Sequence, residues 1–282
     1  MKNAITIDVE DWYQTNGLDL PISTWSQYVD RLVIHTQIIL RLLAKYNVKG
    51  TFFILGCVAQ KHPDLVKEIN DGGHEIASHG GWHQMLHKMT LAEFRTDVVF
   101  SKQILEQISG QKVVLYRAPS WSISPDNYEV LQILKEEGFT CDSSLQPFRT
   151  PLSGINNAPS KPFYPIIKGQ KIGILEFPQT VLRLGKFTFP FSGGFYMRLM
   201  PSFIISWALK IINREGPGMI YFHPWEFDLL QPRVKTTPLI RLAQYYNLKS
   251  TEKKLEKLLQ QFEFVPLGQI IQEGQFPDKA LG

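Results

Sequence analysis

Apolar and polar positions in the first half of the chain alternate between two periods. Short apolar runs at residues 4–9 (AITIDV), 50–56 (GTFFILG) and 74–80 (HEIASHG) are typical of buried strands. Between them, residues 28–47 and 62–73 carry apolar side chains at helical spacing, and the second segment begins near a proline and ends at two glycines. This alternation predicts parallel strands with helices packed outside them.

The same alternation continues to residue 142. Thr90 and Glu93 form a capping-box pattern before a helix that ends at Gly110, and Ser124 is the expected N-cap of the next helix. Strands are predicted at residues 113–119 (VVLYRAP) and around residue 141 (TCDSS). Roughly seven such units would fit the chain, and no GxGxxG follows the first strand, so we predict an α/β fold of the distorted (β/α)7 barrel type rather than a Rossmann sheet.

The amino-acid composition and the apolar pattern change after residue 145. Residues 146–165 are rich in proline, asparagine and serine and predict a long loop, and residues 174–185 (ILEFPQTVLRLG) predict antiparallel strands. Regular elements return with a helix at residues 202–215, a strand at residues 219–225 and one long polar helix at residues 238–262. We interpret residues 1–282 as a single domain, in which residues 146–200 are an insertion over the barrel mouth and residues 226–282 are a C-terminal helical extension.

Composition and charge exclude some functions. The chain has 30 basic and 26 acidic residues, a net charge of +4 and no block of Lys or Arg, so no nucleic-acid partner is expected. We expect no transmembrane segment, because the most apolar stretch, residues 201–212, is too short to cross a bilayer. No signal peptide is visible, so the expected location is the cytoplasm. Cys57 and Cys141 match no metal spacing and are expected to be free thiols, and nothing in the sequence sets an oligomeric state.

Three carboxylates, Asp8, Glu10 and Asp11, follow the first predicted strand. Acids crowded at the end of a buried strand repel each other and are costly to desolvate, so a positive charge is expected beside them. Asp8 and Glu10 would point to the same face of an extended strand. One could therefore bind a metal ion while the other takes a proton. The alternative is that these acids cap the following segment.

Histidines supply further side chains that could bind the same metal ion. His79, His83 and His87 recur at i, i+4 spacing beside a predicted strand end, and two imidazoles with one carboxylate can hold a divalent ion such as zinc while leaving a position for water. We predict His79 and His83 as ligands, with Glu10 preferred over Asp11 as the carboxylate, and we predict that His87 is not a ligand. The other histidines of this half are assigned no chemistry: His35 and His62 are expected at the surface and His74 in a structural position.

Polar residues end three further predicted strands. Arg117 and Asp142 could form a buried pair that orients a catalytic acid. His223 follows the apolar run MIYF and precedes a proline, which favours a site residue, and Glu226 and Asp228 nearby could hold its proton above the ordinary imidazole pKa. Four tryptophans flank these segments and could equally stack on sugar rings or belong to the core: Trp12, Trp82, Trp121 and Trp225.

The order of the segments TIDVED, SHGGWH, RAPSWS, CDSS and FHPW resembles the five-motif signature of the polysaccharide deacetylases, the NodB-homology group or carbohydrate esterase family 4. The resemblance covers residues 4–144 and 219–225. The segments GGFYMRLMP and YFHPWEFD further resemble a subgroup tied to bacterial exopolysaccharide gene clusters. The resemblance implies a distorted (β/α)7 barrel and a divalent metal, with Zn²⁺ as the expected ion. It also implies removal of acetyl groups from N-acetylated sugars by hydrolysis of a linear amide that is not a peptide bond.

The resemblance also implies roles, with an acetylated glycan as the substrate. It makes Asp8 the general base, Arg117 the residue that holds it, Asp142 its partner region and His223 the general acid. The metal ligands would be Glu10, His79 and His83, and the substrate-binding residues Trp82, Trp121 and Trp225. The first motif departs from the common adjacent-aspartate form, because Val9 follows Asp8. Two alternatives are an allantoinase-like hydrolase of a small cyclic amide and a non-catalytic carbohydrate-binding relative, and the presence of both Asp8 and His223 counts against the second.

Overall fold

A computed structural model describes residues 1–281 of the chain. Within these residues the strands are β1 Lys2–Val9, β2 Thr51–Ile54, β3 Glu75–Ser78, β4 Leu115–Tyr116, β5 Cys141–Asp142, β6 Tyr164–Ile167, β7 Gln170–Lys171, β8 Leu175–Glu176, β9 Val181–Leu184, β10 Phe187–Pro190, β11 Met219–Phe222, β12 Glu263–Val265 and β13 Asp278–Leu281. The α-helices are α1 Leu32–Lys45, α2 Gly56–Lys61, α3 Pro63–Asp71, α4 Leu91–Ser109, α5 Glu129–Glu136, α6 Gly194–Leu199, α7 Ser202–Ile212, α8 Pro238–Tyr245, α9 Thr251–Gln261 and α10 Leu267–Glu273. Short 3₁₀ turns lie between them.

The principal sheet has the order β11–β1–β2–β3–β4–β5–β8, and β12 also pairs with β1. The pairings of β1 with β11 and β12, and those of β3 with β4, β4 with β5 and β5 with β8, are parallel. Strand β1 is buried along nearly its whole length, as its unbroken apolar run predicts for a parallel strand covered on both faces. The predicted α/β fold class is therefore confirmed.

The chain divides into two compact units. The first contains residues Met1–Phe52, Asp71–Glu75 and Thr180–Ile270, and one of its apolar clusters consists of Trp12, Tyr13, Leu18, Trp225 and Leu248. The second contains Phe53–Asn70, Ile76–Gln179 and the chain from Ile271 onward. The second unit also has a small sheet in which β13 runs parallel to β6 and β7 antiparallel to it.

Several local predictions are confirmed. Helix α4 begins after Thr90, whose side chain accepts a hydrogen bond from the backbone N–H of Glu93, while the Glu93 carboxylate accepts one from the backbone N–H of Thr90. The helix ends at Gly110, whose φ of 69° is the left-handed conformation that glycine adopts without strain. Cys57 and Cys141 are free thiols.

Three predictions of elements differ from the structure. Leu175–Glu176 pairs in parallel with β5, although Glu176 also makes an isolated antiparallel bridge with Phe163, and β9 pairs antiparallel with β10 as predicted. The long polar helix is broken between α8 and α9, where Asn247 adopts a left-handed conformation and Leu248 is buried in the apolar cluster. Ser124 caps a short 3₁₀ turn, and α5 begins only at Glu129.

The surface prediction for His35 is also wrong, because only 6% of this residue is exposed. Its Nδ1 lies 2.7 Å from the carbonyl oxygen of Arg31, and its Nε2 lies 3.4 Å from Asp228. His74 is structural as predicted, since it is buried and accepts a hydrogen bond from the backbone N–H of Gly50. No helix of the described residues is long and apolar enough to cross a membrane. The boundaries of the insertion and of the C-terminal extension stay predictions.

Candidate active site and metal centre

The end of β1 carries the buried acids of the first unit. Asp8 and Glu10 are 2% and 3% exposed. The Nε2 atom of His223 lies 3.9 Å from Asp8 Oδ2 and 3.8 Å from Glu10 Oε1. The indole N–H of Trp225 donates to Glu10 Oε1 at 3.0 Å. The structure therefore brings the predicted base, the predicted carboxylate ligand and the predicted general acid together.

The third acid of this segment, Asp11, has a different position. Its carboxylate accepts hydrogen bonds from the backbone N–H groups of Trp12 and Arg31, each at 2.7 Å. Burial raises the pKa of Asp11 to about 7, although these hydrogen bonds oppose the shift. Asp11 thus caps the turn that follows β1, which is the role that the alternative interpretation gave to all three acids.

His223 is held by an acidic neighbour on its own turn. Its Nδ1 lies 2.7 Å from Glu226 Oε1, and the backbone N–H of His223 donates to the same oxygen. Burial alone would lower the pKa of His223, but the hydrogen bond with Glu226 and the negative charges of Glu10, Glu226 and Asp8 raise it to about 9. The imidazole is therefore protonated at neutral pH and has an N–H to donate from Nε2.

Arg198, which was not among the predicted site residues, supports Glu226. This fully buried guanidinium donates from Nε to Glu226 Oε2 at 2.8 Å. Its other nitrogens donate to three carbonyl oxygens at the end of α8, those of Ala243, Gln244 and Tyr246. Burial opposes ionisation of Glu226, but His223 and Arg198 together lower the pKa of its carboxyl. Only the position of Arg198 in the segment GGFYMRLMP could have pointed to it.

In the second unit, a short glycine loop after β3 positions His83. The carboxylate of Asp97 accepts hydrogen bonds from the backbone N–H groups of Gly81 and Trp82 at 2.6 and 3.1 Å. A Cβ atom on Gly81 would lie 2.5 Å from Asp97 Oδ1, so the close approach requires glycine there. His83 itself has a φ of 54° and is 5% exposed. Asp97 therefore fixes the loop, a role that the sequence alone does not indicate.

His79 is oriented by a backbone carbonyl. Its Nδ1 lies 2.8 Å from the carbonyl oxygen of Arg117. Because a carbonyl oxygen can only accept, Nδ1 carries the hydrogen and Nε2 keeps a lone pair, which is the tautomer that a metal ligand needs. The rings of His79 and His83 have their centres 5.1 Å apart.

One group of metal-binding side chains is found among residues 1–281. It consists of Glu10, His79 and His83, whose ligand atoms all lie within 4.8 Å of one another. Two imidazoles and one carboxylate are a donor set that zinc and related divalent ions accept, so these residues fit a divalent metal. His87 is exposed and does not belong to this group.

Arg117 and Asp142 are both fully buried in the second unit. The Arg117 guanidinium donates to the carbonyl and hydroxyl oxygens of Ser143, each at 3.2 Å, and lies over the ring of Trp121. Asp142 accepts a hydrogen bond from the Ser144 hydroxyl. Burial raises the pKa of Asp142 and of its neighbour Glu176, and the two carboxyls therefore hold a proton between them.

The tryptophans differ in exposure. Trp12, Trp121 and Trp225 are 1%, 6% and 7% exposed, whereas Trp82 is 39% exposed. The ring of Trp225 stacks on the imidazole of His223 with their centres 5.1 Å apart. Trp225 therefore helps to build the site, and Trp82 is the one of the four whose indole is accessible. That any of them binds sugar stays a prediction.

Comparison with known sequences matches two parts of the chain to separate family models. The sequence model described as polysaccharide deacetylase matches residues 25–141, and that of a domain of unknown function, DUF3473, matches residues 143–272. The family model that matches residues 25–141 is thus the one that the order of the motifs predicts.

Curated relatives match parts of the chain. A peptidoglycan-N-acetylglucosamine deacetylase of Bacillus cereus is 38% identical over 84 residues, which are 30% of this chain and 30% of the relative. A peptidoglycan deacetylase of Helicobacter pylori is 27% identical over 151 residues, which are 50% of each protein. The chain thus covers half or less of the length of these relatives.

Solved structures share the fold over nearly the whole chain. A protein of Mycobacterium smegmatis that is provisionally named a polysaccharide deacetylase has a TM-score of 0.64 at 19% identity, over 100% of this chain and 93% of that one. The allantoinase Puue has a TM-score of 0.58 at 17% identity, over 96% and 89% of the two chains. A CE4 family pseudoenzyme of Bacillus anthracis has a TM-score of 0.52 at 14% identity, over 99% and 66%. Enzymes and a pseudoenzyme share this fold, so activity must be argued from the site.

Proposed function

We propose that the protein is a divalent-metal-dependent hydrolase that removes acetyl groups from the N-acetylated sugars of a bacterial polysaccharide. One observation carries the proposal: Glu10 belongs to a ligand group with two buried histidines, and the same carboxylate lies 3.8 Å from a third, protonated histidine. A metal-binding group beside a proton donor is what hydrolysis of an unactivated amide needs.

Glu10, His79 and His83 would hold the metal, with zinc as the expected ion. When bound there, a divalent ion would polarise the acetyl carbonyl and make water a stronger nucleophile near neutral pH. The hydrogen bond from Trp225 holds the Glu10 carboxylate in place, and the Arg117 carbonyl holds the His79 ring. Both contacts reduce the freedom of the ligands before any ion arrives.

Asp8 and His223 would move the protons. Asp8 is buried beside His223 and would take a proton from the attacking water. The amine of the sugar is a poor leaving group until it is protonated, and His223 Nε2–H would supply that proton. Glu226 and Arg198 keep His223 charged for this step. Arg117 and Asp142 would act through the base as positioning residues rather than on the substrate.

The substrate class follows from the relatives and from the motifs. The curated relatives are named for peptidoglycan, whereas the segments GGFYMRLMP and YFHPWEFD resemble the exopolysaccharide subgroup. We therefore propose an N-acetylated glycan of exopolysaccharide or peptidoglycan type, with the exposed indole of Trp82 as the first candidate for stacking on a sugar ring.

Acetate release tests the proposal. Purified protein, treated with a chelator and then supplied with Zn²⁺, is incubated with N-acetylglucosamine oligomers and a panel of acetylated glycans. We expect Zn²⁺-dependent acetate release, and we expect Asp8→Asn to reduce it by about 10²–10⁴-fold without loss of the metal. Hydrolysis of allantoin in place of the sugars would support the cyclic-amide alternative. Glycan binding without acetate release would support the non-catalytic alternative.

A further inference from the structure

Exposed apolar side chains of the first unit are concentrated in two short parts of the chain, residues 184–207 and residues 229–246, and the first part is the one in which two of them are aromatic residues on one helix. Leu184, Phe187, Leu199, Phe203 and Trp207 are 47%, 80%, 46%, 73% and 47% exposed, and all lie within residues 184–207. Single exposed apolar residues are ordinary, but a cluster of them on one surface marks a place where something else binds.

Two of them form the tip of a hairpin. Strands β9 and β10 are antiparallel, with Leu184 opposite Phe187 next to the turn at Gly185 and Lys186. The other end of β9, Val181 and Leu182, is buried, so the hairpin is anchored at its base and apolar at its tip. Arg183 and Lys186 are exposed at the same tip.

The other aromatic residues lie on helix α7, which packs against β9. Ile205, Ala208 and Leu209 face the core, whereas Phe203 and Trp207, four residues apart, lie on the exposed face. A surface helix ordinarily has a polar outer face, and α7 has two aromatic side chains there instead. Lys210 continues the same face at i+7 from Phe203, and Arg214 follows two residues after the helix ends at Ile212; both are exposed.

The charged side chains of residues 177–214 are all basic. Residues 177–214 contain no aspartate or glutamate, but they contain Arg183, Lys186, Arg198, Lys210 and Arg214. Arg198 is buried against Glu226. The remaining four cations are exposed and lie close in sequence to the exposed aromatic residues.

We propose that this surface docks the protein onto an anionic lipid bilayer without crossing it. The docking surface consists of Leu184, Phe187, Phe203 and Trp207 together with Arg183, Lys186, Lys210 and Arg214. Aromatic side chains enter the boundary between headgroups and acyl chains, while lysine and arginine meet the lipid phosphates.

The chemistry of the docking surface favours a bilayer over two other occupants. An anionic polymer would bind the cations but would leave Phe187, Phe203 and Trp207 in water. A symmetric dimer would cover the aromatic residues, but it would bring the four cations of each copy into one interface without acidic partners. An anionic bilayer satisfies both sets of side chains.

Co-sedimentation with vesicles tests the inference. The full chain, freed of metal by a chelator, is mixed with phosphatidylcholine vesicles that contain or lack phosphatidylglycerol. We expect binding that requires the anionic lipid and weakens with salt. The double variant Phe203→Ser/Trp207→Ser should lower the partition coefficient by about tenfold or more, because two aromatic side chains no longer leave water. Lys210→Glu/Arg214→Glu should abolish the preference for anionic vesicles.

The matched control is Ile34→Ser, because Ile34 is 63% exposed on helix α1, outside the docking surface. It should bind vesicles as the unchanged chain does. Failure of the unchanged chain to bind anionic vesicles would overturn the inference. A dimer in solution that Phe203→Ser/Trp207→Ser converts to a monomer, or binding to a soluble polyanion that this variant does not weaken, would assign the surface to a second copy or to a polymer instead. Acetate release from soluble oligomers is measured separately, so failure of the docking and failure of the proposed function are distinguishable.

Discussion

Two regions of the protein hold buried imidazoles in opposite ways. After β3, the Nδ1 of His79 donates to a neutral backbone carbonyl, that of Arg117. After β11, the Nδ1 of His223 meets the carboxylate of Glu226, which Arg198 supports in turn. The neutral partner leaves a lone pair on His79 Nε2, whereas the charged partner keeps a proton on His223 Nε2. The partner of the imidazole, and not the residue type, therefore sets whether Nε2 carries a lone pair or a proton.

The two regions also belong to different sequence matches. His79 and His83 lie within residues 25–141, which match the polysaccharide deacetylase family, whereas Arg198, His223 and Glu226 lie within residues 143–272, which match the domain of unknown function. The contacts of Arg198 with the carbonyl groups at the end of α8 tie the proton donor to the later part of that segment.

The largest expected effect is the loss of metal binding when one of the proposed ligands is removed. His79→Ala should abolish stoichiometric binding of a divalent ion and, with it, acetate release, without unfolding the protein. His87→Gln is the matched control, because His87 lies four residues beyond His83 but is exposed and outside the ligand group. The measurement is metal content after dialysis, with circular dichroism to check the fold. Full metal occupancy in His79→Ala, or equal loss in His87→Gln, would show that the ligands are assigned wrongly.

The next largest effect is the loss of rate when the proposed proton donor is removed. His223→Ala should keep the metal and lose acetate release from amide substrates by about 10²–10⁴-fold, as for other positioned acid groups. Activated aryl acetates should suffer much less, since their leaving groups depart without protonation. Rates on both substrate types with one enzyme preparation decide the point. Equal losses on the two types would mean that His223 is not the general acid.

A smaller effect, a shift of the pH–rate profile, is expected when only the hydrogen-bond partner of His223 is changed. The general acid must be protonated, so the rate should fall as pH rises through the pKa of His223, which the hydrogen bond with Glu226 raises against the effect of burial. Glu226→Gln removes the charge that holds the proton, and the alkaline limb should move to lower pH, towards the ordinary imidazole value of about 6.5. Glu226 is outside the ligand group, so this charge acts on His223 whether or not a metal is bound.

The control for that experiment is Glu215→Gln, which removes an exposed carboxylate of the same unit. Its pH–rate profile should match that of the unchanged protein. If the alkaline limb of Glu226→Gln also stays in place, Glu226 does not set the proton affinity of the general acid.

The smallest expected effect is on the pH dependence of stability. It concerns His74, a third imidazole, whose ring accepts a hydrogen bond from a backbone N–H. His74 accepts from the Gly50 N–H, and burial, together with the charge of Lys49, lowers its pKa to about 4. The unfolded chain takes up a proton near pH 6.5 and the folded chain does not, so this stabilisation is complete above pH 6.5 and is lost as pH falls towards 4. The contribution is at most about 3 kcal/mol.

Urea unfolding of chelator-treated protein between pH 7 and pH 4 measures this contribution. In His74→Asn the side-chain oxygen replaces Nδ1 as an acceptor but does not titrate, so the variant should lose less free energy of unfolding over this range than the unchanged chain. Parallel pH profiles for the two proteins would contradict the assignment.

Local patterns predicted much of the fold correctly. The capping box at Thr90 and the apolar run of β1 depend on neighbours a few residues away, and both were confirmed. The break at Asn247 and the parallel pairing of Leu175–Glu176 depend on burial of Leu248 and on strand β5, and both were missed. His35 was placed at the surface for the same reason, because its contact with Asp228 spans most of the chain.

The sequence by itself determined which candidate metal-binding and proton-transferring side chains the site contains. The spacing of His79 and His83, the acids after β1 and the histidine after β11 singled out residues whose types suit metal binding and proton transfer. Only the tertiary structure decided how each is used, because tautomer and protonation depend on atoms that lie far away along the chain: the Arg117 carbonyl for His79, and Arg198, through Glu226, for His223. Hydrogen bonds and charges act through space over a few ångström, and no local pattern records which distant groups the fold brings within that range.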